Sequence, residues 1–353
     1  MWAAVALFVM LRGMVIAAAD LPTITPDEYG SWAMARYLAG HDTLLLMQDA
    51  PRYSLVSGLV LTPITWLPGG PVVAYRLALV VLSGFTIGAA FLLRAAVRRL
   101  VPGTPILDGA TFALVLLWPA TFVTGSFTWA EPTVLLWWAL LVWAAVTTWC
   151  ADDVRMRTTA LLVGAVVAGL APFVHGRFVA APVVWLVVLT AFAVERRSGA
   201  PGDRRRTRWV VGSIAALLGL LVVTLLVDRA ATRAVWTEAT SEGIPSLVSS
   251  VTSLGLWRAL AVELAGQVWY VLVSSAGLAA FGVAMLVRMV RRTSVPGGRA
   301  TALTLAALLA SNFLISSAVI GSGVNAAAET VPPTTEMRWD HLVFGRYIDA
   351  ATL

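Results

Sequence analysis

The chain has 353 residues, 59 % hydrophobic and 12 % charged, whereas a soluble globular domain carries about 25 % charged residues. Its net charge of +6 comes entirely from arginine, there being no lysine, and most arginines sit in short clusters between apolar runs. That pattern reads as membrane topology and argues against a nucleic-acid footprint. Cys150 is the single cysteine, which excludes an intramolecular disulfide and a thiolate metal site.

The apolar runs are close to the roughly 20 residues that cross a hydrocarbon layer as a helix. Strand-type alternation is absent, and inside lipid every backbone amide must be satisfied locally, so helices are expected. The fold class is therefore an all-α integral membrane protein of about nine transmembrane helices, one polytopic domain over residues 1–353. The spans are placed at 2–19, 72–93, 108–125, 131–149, 158–174, 178–194, 209–227, 267–287 and 300–320. No small-residue cleavage pattern follows the first span, which is read as a retained helix.

Arg12 lies inside that first span. Insertion there costs about 2.5–3.5 kcal/mol at the helix centre, so a partner within the bundle is expected. After it comes a long outer loop, about 20–71. It carries a helical stretch at 29–39 and a short apolar stretch at 54–67 that is read as an interfacial helix. Asp27 and Glu28 follow Pro26 at its start. Acids there suit the first turn of a helix. Equally, one of them could serve as a general base at the membrane surface, its proton affinity raised by desolvation and by its neighbour.

The connections holding Arg94, Arg98 and Arg99, then Arg155 and Arg157, then the clusters 196–208 and 288–299, alternate with arginine-poor ones. Fifteen arginines and five acids fall on that side, and the other fourteen acids lie in or beside the opposite connections. Arginine-rich connections stay in the cytoplasm. The N-terminus is thus expected inside and the C-terminus outside, in a plasma membrane.

Glu131 opens the fourth span next to Pro132, which suits a helix start as well as a functional acid. His175 and Arg177 flank Gly176 in a tight outer turn. They suit a phosphate-bearing lipid, although a plain turn or snorkelling role is equally consistent. A second long outer segment, 228–266, holds Trp236 and Trp257, with Trp269 just beyond, as interface anchors. The outer tail 321–353 concentrates Arg338, Asp340, His341, Phe344, Arg346 and Tyr347. Its arginines offer paired donors to a phosphate and its aromatics a stacking surface. All three histidines, His41, His175 and His341, fall on the outer side. Carboxylates and histidines on one rim could hold a divalent cation, but no spacing matches a standard site.

Four stretches together resemble the C-type (GT-C) membrane glycosyltransferases, most closely uncharacterised actinobacterial members. They are Asp27-Glu28-Tyr29 with residues 35–40, Phe127 to Pro132 with Glu131, His175-Gly176-Arg177, and Asp340-His341 with Phe344 to Tyr347. The resemblance implies transfer of a sugar from a polyprenyl-phosphate donor to a glycan, lipid or protein acceptor at the extracytoplasmic face, with inversion. It implies Asp27 first and Glu28 second as the base. His175, Arg177 and Arg346 would bind the donor phosphate, with Tyr347 and His341 beside them. Glu131, Asp340 and His41 are further site candidates. Members of that superfamily continue past the final motif with more helices, so a truncated, non-catalytic paralogue is an alternative expectation. A transporter or lipid flippase is another, although it would place ionisable residues deep in several helices, and here they crowd the rim.

Overall fold

The structure, a computed structural model, describes residues 1–20, 26–42, 55–195, 204–235, 254–275, 277–292 and 295–330. Among them there is no strand. The α-helices in chain order are α1 (Trp2–Ala18), α2 (Pro26–Leu38), α3 (Leu55–Thr65), α4 (Pro71–Leu100), α5 (Pro105–Leu117), α6 (Pro119–Thr124) and α7 (Glu131–Cys150). They continue with α8 (Val154–Leu170), α9 (Ala181–Val194), α10 (Arg204–Val235), α11 (Leu254–Ser274), α12 (Leu278–Arg291) and α13 (Gly298–Thr330). Proline in the first turn starts α4, α5, α6, α7 and α9, where its missing N–H costs nothing. Asp153 caps α8 by accepting from the Arg155 amide at 3.0 Å.

Among the described residues, six helical segments are each long and apolar enough to cross a membrane: Pro71–Leu100, Glu131–Cys150, Val154–Phe173, Gly176–Val194, Arg206–Val235 and Gly298–Ser317. Large apolar side chains such as Val80, Val183, Val187, Val222, Val223 and Leu226 point outward from them. A soluble protein would bury that surface, so the chain is a multi-pass membrane protein.

Three of the nine expected spans take another form. The first is a 17-residue helix, at the short limit for a crossing. The stretch 108–125 breaks at Trp118, extended at φ −62° and ψ 125°, ahead of Pro119; the proline ring excludes helical backbone from the residue before it. The stretch 267–287 breaks into α11 and α12, which meet at a bend of 103°. Gly277 supplies the turn with φ +82°, a conformation that costs a residue with a Cβ far more.

The later outer segments hold more helix than hydropathy suggests. Helix α10 runs on to Val235 and α11 begins at Leu254, so much of 228–266 is helical. Helix α13 continues to Thr330, into the expected tail. Charged residues end an apolar window without ending a helix, because Ala and Arg are both good helix formers.

The core lies around α7. Trp138, Trp149, Trp185, Phe178 and Phe192 pack there with Leu161, Leu189 and Leu217. A second cluster joins α2 and α3 to the start of α4 through Met34, Leu61, Tyr75 and Leu79. Gly58 makes that packing close, since a Cβ there would overlap the Met34 side chain. A third cluster binds α1 to α4 and α5 through Phe8, Phe112 and Leu116.

Side-chain contacts define two ends of the bundle. At one, Arg94 and Arg98 meet Asp108, Arg157 and Arg206 meet Glu195, and Arg99 touches Met156. At the other, Arg76 caps α1, donating to the carbonyls of Ala17 and Ala19, both at 2.8 Å, and pairing with Asp20 at 3.1 Å. The four expected arginine connections thus divide from the acid-bearing ones in space, as far as their described residues reach.

Candidate functional site at the acid-bearing end

Helix α2 opens on Pro26, with Asp27 and Glu28 in its first turn. Glu28 is fully buried. Its Oε1 accepts from the Tyr75 hydroxyl at 2.7 Å, the Thr128 amide at 2.8 Å and the Thr128 hydroxyl at 3.0 Å. Thr128 Oγ1 in turn accepts from Trp32 Nε1 at 3.1 Å. One carboxylate thereby ties α2, α4 and the segment before α7 together. Chained bonds of this kind strengthen one another in a low-dielectric interior.

Beside this network, Ser31, Ser57, Thr128 and Thr133 surround a cavity of about 10 Å³ against Trp129 and Leu61. It has room for one water. The Ser31 and Ser57 hydroxyls are buried around it with no hydrogen-bond partner among the described residues. Helix α3 is fixed from a distance, because Asp228 of α10 accepts from the Leu55 amide at 3.3 Å. That carboxylate satisfies a donor of the first helical turn.

Three residues after Thr128, Glu131 starts α7 and comes within 3.9 Å of the Arg177 guanidinium. Both are buried. Arg177 stands in one of two 3₁₀ turns, Ala171–Phe173 and Gly176–Phe178, that join α8 to α9. His175 Nδ1 accepts from the Arg177 amide and from its Nε, each at 3.3 Å. Phe127 and Trp129 stack at 4.5 Å between the two clusters. The segment 127–131 therefore binds Glu28 with one residue and presents a carboxylate to Arg177 with another.

The structure brings Glu131, His175 and Arg177 into one cluster and links Glu28 to it through Thr128. Asp27 is placed on the first turn of α2, and its side chain lies outside the described residues. His41 is exposed beyond the far end of α2, which lies about 15 Å along the helix from Glu28. Asp340, His341, Arg346 and Tyr347 lie outside the described residues. Among the described residues no group of three or more His, Cys, Asp or Glu side chains could hold a metal.

Arg12 finds its partner in the segment before α7. Its guanidinium donates to Ser126 Oγ at 2.7 Å and stands 4.9 Å from the Phe122 ring centre and 5.7 Å from that of Phe8. Among the described residues no carboxylate pairs with it. Gly125 leaves room for that approach, since a Cβ there would overlap the guanidinium and make it shift. The cation is thus held by a hydroxyl and two ring faces.

Sequence reasoning missed Tyr75, Thr128, Trp32 and Asp228. Thr128 stands inside a stretch already singled out for Glu131, which was a usable signal. The other three become partners only through tertiary packing.

No protein-family model, curated protein or solved structure matches the chain.

Proposed function

We propose that the chain is a membrane glycosyltransferase of the C type, moving a sugar from a polyprenyl-phosphate donor to an acceptor at the extracytoplasmic face. In this reading the acid-bearing end faces the exterior and the arginine-rich end the cytoplasm, as arginine retention favours. Asp27 is the base that takes the acceptor proton. Glu28 is its anchor, with an oxygen already engaged by three donors and no exposure to an acceptor. His175 and Arg177 offer cationic and hydrogen-bonding groups for a departing phosphate, with Glu131 holding Arg177 in place until donor binds. Charge that develops on a leaving phosphate is stabilised most by groups already fixed in position. Arg346, His341 and Tyr347 would complete that donor site, and Asp340 and His41 its margin.

The observation that carries the reading is the tie between Glu28 and Thr128. It fixes the first turn of α2, where Asp27 stands, to the segment that also bears Glu131. A general base contributes about 10²–10⁴-fold only when its geometry is held.

The test is sugar transfer in membranes containing the wild type, Asp27→Asn or Asp27→Glu, supplied with labelled polyprenyl-phosphate pentoses and hexoses. Expected is transfer by the wild type, at least about a hundredfold loss in Asp27→Asn, partial recovery in Asp27→Glu, and equal thermal stability in all three. Full activity in a folded Asp27→Asn protein removes the base assignment. No transfer by the wild type with any donor removes the reaction.

A further inference from the structure

We infer that α12 lies in the plane of the membrane at the arginine-rich end and seats Arg288, Arg291, Arg292 and Arg299 on anionic phospholipid headgroups. Helix α11 has 21 residues, about 31 Å of helix, which is a membrane thickness. It packs along α13. After a 103° bend at Gly277, α12 runs nearly perpendicular to it. Helix α13 has its Gly298–Ser317 stretch among the six spans, so α11, packed along it and as long as the layer is thick, crosses beside it in this reading, and a helix perpendicular to α11 lies parallel to the bilayer surface.

The surface of α12 fits that placement. None of its 14 residues is buried, and Leu278, Phe281, Val283, Met285 and Val287 are exposed. Its last turn carries Arg288 and Arg291, with Arg292 following. An apolar helix ending in arginines partitions into the boundary between headgroups and acyl chains. Its location follows from the next turn. Gly297, at the start of α13, lies against the backbone of Trp149, and Trp149 is one residue from Cys150 at the end of α7, beside Thr301 and Thr304.

Charge names the occupant. Residues 264–328 contain four arginines and no acid. Elsewhere at this end, Arg94 and Arg98 have Asp108, and Arg157 and Arg206 have Glu195. Arg288, Arg291, Arg292 and Arg299 are exposed and form no ion pair among the described residues. A surface of lipid phosphates supplies what the protein does not, since an anionic leaflet attracts basic segments that lie beside it.

The experiment uses the full chain with Cys150→Ser, which removes the only cysteine, and single cysteines at Leu278→Cys, Phe281→Cys or Met285→Cys. Each is spin-labelled and reconstituted in phosphatidylcholine bilayers with or without phosphatidylglycerol, and label depth is read from oxygen and nickel accessibility. Expected is one common depth at all three positions, and deeper, tighter seating with phosphatidylglycerol. A descending helix would instead change depth by about 10 Å from 278 to 285, and that gradient overturns the placement. The second arm compares co-purified phosphatidylglycerol between the wild type and Arg288→Gln/Arg291→Gln/Arg292→Gln. A several-fold fall supports the lipid contact, and an unchanged ratio overturns it.

Discussion

The two ends of the bundle hold their charges in opposite ways. At the arginine-rich end, every ion pair keeps at least one partner partly exposed. Arg98 meets Asp108 with its side chain 56 % exposed, and Glu195 is shared by Arg157 and Arg206. At the acid-bearing end, Glu28, Glu131, Arg177 and Asp228 are all buried, and their partners come from helices far apart in sequence. Exposed pairs contribute about 0–1 kcal/mol, whereas a buried group stripped of its partner costs several times that. The arginine-rich end leaves its charges partly open, and the other end fixes a geometry.

The largest expected effect is at Glu28. Glu28→Ala strands the Tyr75 hydroxyl and both donors of Thr128 and costs about 3 kcal/mol or more, read as a fall in thermal stability in detergent. Glu28→Gln keeps an acceptor oxygen and is expected to lose about half as much. Equal stability of Glu28→Ala and the wild type would erase the contrast between the ends.

Next comes Gly125→Ala, whose Cβ would overlap Arg12 at a cost of about 2 kcal/mol, typical of overpacking. In an Arg12→Leu background the same change is expected to cost at least about 1 kcal/mol less, a coupling measured by a double-mutant cycle. Purely additive losses would contradict the contact.

Arg157→Gln sharpens the comparison, because Arg157 stands at the arginine-rich end yet is buried. It donates to the Thr148 carbonyl at 2.7 Å and pairs with Glu195 at 2.6 Å. A loss of about 2 kcal/mol is expected, which would assign the difference to burial rather than to location. The smallest effect is at Arg98→Gln, a barely measurable fall in thermal stability that shrinks further in high salt.

The arrangement of arginine connections was legible in the sequence because membrane insertion reads it as linear information. So was the convergence of Glu131, His175 and Arg177, since each stands at a helix end on the same side. The break at Trp118–Pro119 had a local signal in the proline. Gly277 did not stand out, because the stretch around it, Ser274 and Ser275 included, is uncharged and a hydropathy window passes straight over it. Tyr75 as the partner of Glu28 was not legible either. A tyrosine in the second turn of a membrane helix has many uses, and only the packing of α2 against α4 selects this one.

Sidedness is tested most directly by labelling intact cells with a membrane-impermeant maleimide. The proteins are Asp42→Cys and Asp152→Cys, each in a Cys150→Ser background, because both aspartates are exposed, one near each end. The expected result is rapid labelling of the Asp42→Cys protein from outside and labelling of the Asp152→Cys protein only after the cells are opened. The reverse pattern would put the Glu28 network on the cytoplasmic side and contradict an extracytoplasmic transferase.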